Sequence, residues 1–361
     1  MMTAFCHAQA QPTDRKLLVP SHRKLVVVTF DGYRWKDAFR GADSALFFAG
    51  LKGTKDSAER VTEFWGRNTM ERREKLMPWF WKTVATKGQV YGNRDVGSKV
   101  NVTNPYWFSY PGYNEIFTGY ADTVINSNDY AANPNVTLPE FINKLPGFAG
   151  KVAAFTSWAA FDRILNKERS GLPVNAGYTA FTDKHLSETQ LLLSKEQFLL
   201  PKTFGEHERP DAVTYLLARE YLVHRHPLYL QISFIETDAY GHQDNYLGVL
   251  QSARHNDAML EDLWNYIQSD PFYKDQTTLY IATDHGRGDG SEWTHHNRKT
   301  PGSDQIWFAV MGPYTPPLGQ VKDVQVYQNQ YARTMGKLLG INFTGVPGHP
   351  AGPIVPGVSK N

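Results

Sequence analysis

The chain has 361 residues, of which 41% are hydrophobic and 20% are charged, and its formal net charge is +2. These values are typical of a globular protein with a sizeable core, and so balanced a charge does not favour a nucleic-acid or anionic-membrane partner. No apolar run approaches the length of a membrane-spanning helix, and a single cysteine, Cys6, gives no disulfide framework and no cysteine metal site.

The first residues, 1–20, carry a short apolar stretch that ends in Ala8-Gln9-Ala10. An A-x-A pattern is typical of a signal-peptidase site, although a positively charged start and a full apolar segment are lacking. We interpret 1–20 as a truncated or weak signal segment with a disordered N-terminus, and a plain disordered N-terminus is the alternative. The signal interpretation predicts a periplasmic or secreted protein.

Downstream, short apolar runs alternate with helical patterns. Runs bounded by turn residues predict strands at 24–30, 151–157, 227–235, 277–284 and 306–312. Segments with 3.6-residue periodicity predict helices at 73–88, 211–225, 252–270 and 328–340. Most of the predicted strands are continuously apolar, as strands covered on both faces are. The alternation predicts an α/β fold with a mostly parallel central sheet and helices on both faces.

The order of these elements predicts a single catalytic domain over residues 21–345. Polar and glycine-rich stretches are expected to be loops or small insertions at 41–70, 121–149 and 165–210. The last residues, 346–361, form a Pro/Gly-rich tail that we expect to trail over the surface.

Acidic residues follow three of the predicted strands. Asp31 ends the run KLVVVTFD, Asp238 follows LQISFIET, and Asp284 follows TLYIAT. In open α/β sheets, ligands bind beyond the carboxyl ends of the strands, so we expect these carboxylates to share one edge of the sheet. Three bare carboxylates there would repel one another and raise each other's pKa, which bound cations would prevent. Each aspartate alone could equally be a turn residue or a helix cap.

Histidines accompany these acids. His285 directly follows Asp284, and His242 lies four residues after Asp238. Aspartate and histidine together suit zinc, with manganese or iron as alternatives. The segment EWTHHN, just before the last predicted strand, supplies two further candidates, His295 and His296.

The order of these motifs, with YWFSYPGYNEIFTGYAD between the first and second, resembles that of the alkaline phosphatase superfamily. The similarity is closest to its nucleotide pyrophosphatase/phosphodiesterase branch, with type I phosphodiesterases and sulfatase-like proteins, over about residues 24–312. The resemblance implies an alkaline-phosphatase-like fold and two divalent metal ions, most simply zinc. It assigns one metal to Asp31, Asp284 and His285, in contact with Ser109. It assigns the other to Asp238, His242 and one of His295 and His296.

We prefer His296 as the last ligand, because the superfamily commonly places this histidine before glycine or a small polar residue. His296 precedes Asn297, whereas His295 precedes another histidine.

Ser109 is the predicted nucleophile. The related branch has a threonine in the pattern T-x-P-(x)6-T-G, and Ser109 takes that place with Pro111, Thr118 and Gly119 matching. A serine at the start of a helix has its oxygen near the positive helix end, and a bound cation would lower its pKa further. The alternative is that Ser109 is a helix N-cap. Sulfatases of the superfamily use a formylglycine made in C/S-x-P-x-R, and Tyr113 at the arginine position favours an unmodified serine.

Residues after the nucleophile are candidates for substrate binding. The resemblance assigns an asparagine of VINSND to a non-bridging phosphate oxygen, with Asn128 the first choice by spacing and Asn126 the second. A turn-forming role is the alternative for either residue. Three side chains of TSWAAFDRILNKERSG could line a leaving-group pocket or pack in the core: Trp158, Phe161 and Arg169.

We therefore predict a two-metal-dependent phosphoester hydrolase, a phosphodiesterase or phosphatase, that acts on a small-molecule ester through Ser109 and a phosphoserine intermediate. The alternatives are a phosphotransferase or mutase of the same superfamily and a sulfatase-like hydrolase without formylglycine. A non-catalytic binding protein with this fold is a further alternative, but it would be expected to lack Ser109 or a metal ligand.

We expect phosphodiesters or aryl phosphonate esters to be preferred over phosphate monoesters. Enzymes suited to monoesters usually set an extra cation against the additional charged oxygen. The nearest cation after Ser109 in the sequence is Lys144. The expected phosphate donors, Asn128 and the Tyr110 N–H, are neutral. Folding of Lys167 or Arg169 back into the site would remove the basis of this expectation.

Overall fold

The structure, a computed structural model, describes residues 22–181 and 186–360, so the signal segment expected within 1–20 lies outside it. In this part of the chain no helix is both long enough and apolar enough to cross a membrane.

The strands, in chain order, are β1 (Lys24–Phe30), β2 (Gln89–Tyr91), β3 (Ser98–Asn101), β4 (Val152–Thr156), β5 (Val174–Ala176), β6 (Tyr229–Phe234), β7 (Thr277–Ala282), β8 (Gln305–Ile306), β9 (Phe308–Met311), β10 (Gly319–Gln320), β11 (Val324–Tyr327), β12 (Gly345–Val346) and β13 (His349–Pro350). The helices, in chain order, are α1 (Trp35–Arg40), α2 (Ser44–Gly50), α3 (Ser57–Phe64), α4 (Thr69–Leu76), α5 (Ala85–Lys87), α6 (Ser109–Thr118), α7 (Leu138–Asn143), α8 (Phe161–Ile164), α9 (Lys167–Ser170), α10 (Glu188–Glu196), α11 (Asp211–Arg225), α12 (Glu236–His242), α13 (Tyr246–Ser269) and α14 (Tyr331–Leu339).

Eight strands form the central sheet, in the order β10-β2-β9-β7-β1-β6-β4-β5. Strand β9 runs antiparallel to both of its neighbours, β7 and β2, whereas the other pairings described in this sheet are parallel. The predicted strands correspond to β1, β4, β6, β7 and β9. The prediction of an α/β fold with a mostly parallel sheet is confirmed.

Strand β1 shows why helices cover both faces of the sheet. All of its residues are buried. Val26, Val28 and Phe30 pack into a cluster with α11 and α13 on one face, while Leu25 and Val27 pack with α6 and α14 on the other. Alternate side chains of a strand point to opposite faces. A continuously apolar strand therefore requires cover on both sides.

The helix expected at 73–88 is broken near its middle. Helix α4 ends at Leu76, and a π-helical segment, Phe80–Val84, leads into α5. Pro78 lies at the break. Proline lacks an N–H and disfavours helical backbone in the residue before it, so Pro78 accounts for the interruption of the helix. The Asp257 carboxylate accepts the N–H groups of Trp79 and Phe80, each at 2.8 Å, and so satisfies the start of the second segment.

Other elements also differ from the expectations. Helix α13 begins six residues before the predicted 252, because the Asn245 side chain accepts the Gly248 N–H and caps the helix there. The stretches expected as loops contain short elements, namely α2, α3, α7, α9, β5 and α10. Most residues of 346–360 are exposed or half-buried, but Val355 and Val358 are buried in the cluster around α6 and α14 and so anchor this segment.

The carboxyl ends of three adjacent parallel strands coincide at the middle of the sheet. Phe30 of β1 pairs with Phe234 of β6, and Thr29 pairs with Ala282 of β7. The Asp31 N–H continues the ladder with a hydrogen bond of 3.0 Å to the Phe234 carbonyl oxygen. The residues that follow these three strands therefore meet at one edge, as expected for a ligand site in this class of sheet.

Candidate active site

Ser109 is the first residue of α6, a helix whose residues are all buried. Phe108, not Ser109, is the residue that precedes the helix as its cap, so the N-cap alternative for Ser109 is not what the structure shows. The Ser109 Oγ atom lies 3.2 Å from His285 Nε2 and 3.4 Å from Asp31 Oδ1. The hydroxyl is thus directed at the carboxyl edge of the sheet, with the positive end of the helix behind it.

The turn before Ser109 has an unusual backbone. Trp107 has a φ of 58°, a left-handed conformation that bulky residues rarely adopt. The Asn104 side-chain oxygen accepts the N–H groups of Tyr106 and Trp107 and so holds the turn. Asn104 in turn donates its own N–H and amide group to the buried Glu115 carboxylate of α6. Backbone strain of this kind persists where the surrounding structure determines it, and it is concentrated at functional sites.

The first Asp/His cluster consists of Asp31, Asp284 and His285, all fully buried. His285 Nε2 lies 3.3 Å from Asp31 Oδ1 and 3.5 Å from Asp284 Oδ2. His285 Nδ1 lies 2.8 Å from the Gly286 carbonyl oxygen, and donation to that oxygen leaves Nε2 as the nitrogen with a free lone pair. The structure therefore brings together the three residues that were predicted to share one metal.

The second cluster consists of Asp238, His242 and His296. Helix α12 carries the first two at positions i and i+4, with His242 Nε2 3.1 Å from Asp238 Oδ2. His296 Nε2 lies 3.7 Å from Asp238 Oδ1, and its ring stacks on that of His285 with centroids 3.9 Å apart. His295 is exposed and does not belong to the cluster.

Two glycines allow the parts of the site to approach one another. Gly32 has a φ of 57°, and a Cβ atom there would lie 2.3 Å from Asp238 Oδ1. Gly112, one turn into α6, lies so close to the segment after β7 that a Cβ atom would be 2.7 Å from the Asp284 carbonyl oxygen. Side chains at either position would push the two clusters, or α6 and Asp284, apart.

The electrostatics of the clusters fit bound cations. Burial raises the pKa of Asp31, and Asp238 raises it further, while burial and then Asp31 raise the pKa of Asp284 well above its usual range. Burial would lower the pKa of His285, but Asp284 and the other carboxylates raise it to about 9. Within the described residues, three buried atoms of the clusters have no hydrogen-bond partner: Asp31 Oδ2, Asp284 Oδ2 and His296 Nδ1. Crowded carboxylates with unpaired oxygens and facing imidazoles are the donor set of a zinc-type site.

Arg287 is a part of the site that the sequence did not reveal. Its guanidinium is buried and donates to Asp238 Oδ1 at 2.7 Å and to the Asp238 carbonyl oxygen at 2.9 Å. Its other terminal nitrogen donates to the Thr294 carbonyl oxygen at 2.6 Å, two residues before His296. Burial alone would raise the pKa of Asp238, but Arg287 and then His296 hold it well below its usual range. In the sequence, Arg287 could have been recognised as a candidate site residue from its position three residues after Asp284.

Asn128 lies beside the start of α6, next to Ser109, as its spacing predicts. Its side-chain oxygen accepts the Tyr110 N–H at 2.9 Å, which leaves its amide NH2 group as the part that could donate to a ligand. The Tyr110 N–H, expected to bind phosphate, is therefore already bonded to Asn128. Arg163 holds the same loop, because its guanidinium donates to the Asn128 carbonyl oxygen at 3.1 Å. Asn126, the second choice, is exposed.

The cations that could have folded back into the site are engaged elsewhere. Arg169 binds the buried Glu140 carboxylate and the carbonyl oxygens of residues 133–135. Lys167 pairs with Asp162. Phe161 is a core residue, whereas Trp158 is half-buried and lines a cavity.

Residues 52–328, more than half of the chain, match the family described as type I phosphodiesterase / nucleotide pyrophosphatase. The chain belongs to this family. The predicted relationship to the phosphodiesterase branch is thus confirmed. The family acts on phosphate esters, and its superfamily is metal-dependent. No curated protein matches the chain significantly.

Solved structures of several other proteins share this fold. The alkaline phosphatase PafA matches with a TM-score of 0.60 at 11% identity, over 94% of this chain and 99% of that chain. A putative sulfatase from Bacteroides thetaiotaomicron matches with a TM-score of 0.59 at 14% identity, over 93% and 74% of the two chains. The lipoteichoic acid synthase LtaP from Listeria monocytogenes matches with a TM-score of 0.58 at 11% identity, over 91% and 74%. At such identities the likeness shows an alkaline-phosphatase-like fold and nothing more about this phosphodiesterase-family chain.

Proposed function

We propose that the protein hydrolyses phosphodiesters with Ser109 as nucleophile, between the two Asp/His clusters. Membership in the phosphodiesterase family supports the reaction class. The single observation that supports Ser109 is the position of its Oγ atom, 3.2 Å from His285 Nε2 and 3.4 Å from Asp31 Oδ1 at the start of a buried helix. A hydroxyl placed among groups that suit cations is the arrangement expected for an activated nucleophile.

Two divalent cations, with zinc as first choice and manganese or iron as alternatives, are part of the proposal. The residues that would hold them are Asp31, Asp284 and His285 for one cation, and Asp238, His242 and His296 for the other. In each set the candidate ligand atoms all lie within 4.8 Å of one another. Such cations would lower the pKa of the Ser109 hydroxyl, polarise phosphate oxygens and offset the charge of the transition state.

The residues of the chain would act in two steps. Ser109 Oγ, after losing its proton to solvent, attacks phosphorus in line with the leaving ester oxygen and becomes esterified to phosphorus. With a diester substrate the resulting phosphoserine keeps the second ester group. Water then attacks the same phosphorus from the vacated side and regenerates the Ser109 hydroxyl. The Asn128 amide would donate to a non-bridging oxygen, because its other end is held by the Tyr110 N–H.

The N-terminus of α6 supports the same role. This helix has ten residues, and its first turn presents the positive end of the helix dipole beside Ser109. Phosphate groups bind favourably at such ends. An unmodified serine is consistent with Tyr113, which is buried in the core at the position where formylglycine sulfatases have arginine.

The experiment measures metal content and a trapped intermediate in the same preparation. Elemental analysis of zinc-loaded protein should show about two equivalents of metal, and Asp284→Ala should lose at least one of them with nearly all turnover. Rapid quenching during turnover of bis-4-nitrophenyl phosphate, followed by peptide mass spectrometry, should place a 4-nitrophenyl phosphoryl group on Ser109. Full metal content and normal turnover in Asp284→Ala would contradict the metal sites, and an unmodified Ser109 peptide under burst conditions would contradict covalent catalysis.

A further inference from the structure

Helix α6 begins without a capping side chain of its own. The residue that precedes it, Phe108, makes no side-chain hydrogen bond to the first turn, where a Ser, Thr, Asp or Asn is usual. Within that turn Pro111 has no N–H, and the Tyr110 N–H is bound by Asn128 from outside the helix. The place where the helix begins, and with it the position of Ser109, therefore depends on the chain that leads into α6.

That chain is a turn that begins at Asn104 and ends in a strained residue. An Asn-Pro pair, here Asn104-Pro105, favours the start of a turn. Trp107 ends the turn with a φ of 58°, a conformation that is sterically costly for a bulky side chain. The Asn104 side-chain oxygen accepts the Tyr106 N–H at 3.0 Å and the Trp107 N–H at 3.2 Å, and these two hydrogen bonds offset the strain.

Asn104 is held in turn by Glu115, which lies further along α6. The Glu115 carboxylate accepts the Asn104 N–H at 2.8 Å and its side-chain amide at 2.9 Å, and it also accepts the Thr103 N–H at 3.0 Å. Both side chains are fully buried. A shift of either one would leave a buried polar group without a partner, which is costly. The helix thus carries the carboxylate that fixes the turn leading into it.

Close packing restrains α6 on its other side. Gly112 lies so near to the Asp284 carbonyl oxygen that no Cβ atom would fit between them. The turn before the helix is therefore the part that can relax. If Trp107 left its strained conformation, Ser109 Oγ would move from its place 3.2 Å from His285 Nε2. A misplacement of about 1 Å at a reacting group can reduce the rate roughly 100-fold.

We propose that Asn104 and Glu115 are positioning residues for Ser109. Asn104 holds the strained turn, and Glu115 acts through Asn104. Both are buried and belong to neither Asp/His cluster, so they would touch neither the substrate nor a metal ion. The inference rests on the proposed function, since it takes Ser109 as the nucleophile.

The first test is the split between kcat and KM in variants of Asn104, with bis-4-nitrophenyl phosphate and zinc-loaded protein. Asn104→Ala should lower kcat roughly 10- to 100-fold, because the nucleophile is displaced, and should leave KM and the zinc content nearly unchanged. Asn104→Ser keeps an oxygen that can accept an N–H of the turn, so its kcat should be intermediate. An unchanged kcat in Asn104→Ala, or a loss of zinc, would overturn the inference.

The second test compares Glu115→Gln with a matched control, Asp257→Asn. The Asp257 carboxylate is also buried and also accepts two backbone N–H groups, but it lies at the break after α4. Urea unfolding should show a lower free energy of unfolding for both variants, whereas kcat should fall only in Glu115→Gln. A comparable loss of kcat in both would mean general destabilisation and would overturn the role of Glu115. An unchanged kcat in Glu115→Gln would overturn it as well.

Double variants test the order of the contacts. Asn104→Ala with Glu115→Gln should have a kcat close to that of Asn104→Ala alone, because Glu115 acts through Asn104, and losses that multiply would overturn that step. Glycine adopts a φ of this kind without strain. Asn104→Ala should therefore cost several-fold less in kcat when Trp107→Gly is already present. An equal cost in the two backgrounds would mean that Asn104 does not serve the strained turn.

Failure of the proposed function would be seen separately, as hydrolysis of no diester by the wild type. Crystal structures of Asn104→Ala and Asp257→Asn then decide the positioning role. The distance from Ser109 Oγ to His285 Nε2 should exceed hydrogen-bonding range in the first variant and stay within it in the second. An unchanged distance in Asn104→Ala overturns the inference. If that variant does not fold, Asn104→Ser and Glu115→Gln provide the same comparison.

Discussion

His242 Nε2 and His296 Nε2 lie 2.9 Å apart, and both nitrogens approach the Asp238 carboxylate. The two histidines are separated by 54 positions, because one ends α12 and the other comes from the long loop after β7. Burial and then the neighbouring His285 lower the pKa of His296 well below its ordinary value, although Asp238 acts to raise it. A lowered pKa favours the neutral imidazole, the form that can donate a lone pair to a metal ion. Two imidazoles that converge on one carboxylate would supply three of the four ligands of a tetrahedral metal site.

His296→Ala should therefore remove the cation of the second cluster, whereas His295→Ala should leave it bound. The two side chains are neighbours in sequence, but His295 is exposed and lies outside the cluster. Zinc affinity of both variants, measured by competition with a chromophoric chelator, checks this. A larger loss of affinity in His295→Ala would reverse the assignment.

Ser109→Ala should keep both cations and lose most of the turnover. The hydroxyl is the proposed nucleophile, and its loss should raise the barrier by several kcal/mol, each ~1.4 kcal/mol being tenfold in rate. Ser109→Thr should retain part of the activity, because it keeps a hydroxyl at the same Cβ. Steady-state kinetics with bis-4-nitrophenyl phosphate and elemental analysis of the same samples provide the measurement. Hydrolysis by Ser109→Ala at the wild-type rate would exclude covalent catalysis at this residue.

The parts of the site that the sequence could predict are those attached to strong local patterns. Asp31 and Asp284 follow continuously apolar strands, and the parallel pairing of β1 with β7 brings strand ends together without any knowledge of the loops. A motif predicts Ser109 and Asn128, and the turn around Asn128 does place its side chain against α6. The local sequence pattern and the geometry of a parallel sheet are together sufficient to predict where these residues lie.

The parts that could not be predicted depend on contacts between segments far apart in sequence. A single bridge pairs Glu208 with Trp158, and nothing in the sequence around 208 indicates that pairing. The break at Pro78 depends on Asp257, which satisfies the freed N–H groups from a distant helix. The burial of Val355 likewise requires the groove beside α14, where Thr334 Oγ1 accepts the Val355 N–H.

Arg287→Lys should weaken zinc binding at the second cluster roughly 10- to 100-fold, the usual effect of losing a partner of a metal ligand. Lysine keeps the charge but cannot hold Asp238 and the Thr294 carbonyl oxygen at once, as the guanidinium does. Arg209→Lys is the control, because Arg209 is equally buried but binds only uncharged groups such as Asn175. Competition with a chelator measures the zinc affinity of both variants. An equal loss of zinc affinity in the two would mean that the substitutions destabilise the protein in general.

Gly112→Ala should destabilise the protein and lower turnover. The added methyl would lie 2.7 Å from the Asp284 carbonyl oxygen, and overpacking of this kind costs about 1–3 kcal/mol, more than the ~1 kcal/mol gained in helix propensity. Gly50→Ala is the matched control in α2, where the new Cβ would be 3.4 Å from the nearest atom, on Leu247. Urea unfolding should show a lower free energy of unfolding for Gly112→Ala than for the wild type, and no decrease for Gly50→Ala. Equal stability of the two variants would show that α6 can shift away from Asp284 without cost.

Phosphodiesters should be better substrates than phosphate monoesters. A monoester brings a second negative charge, and a cation would have to meet it, but Arg169 is bound to Glu140 and Arg287 is bound to Asp238. We expect kcat/KM for bis-4-nitrophenyl phosphate to exceed that for 4-nitrophenyl phosphate at equal zinc loading. A higher kcat/KM for the monoester in the wild type would refute the preference, and it would mean that a cation such as Arg287 leaves Asp238 to bind the extra phosphate oxygen.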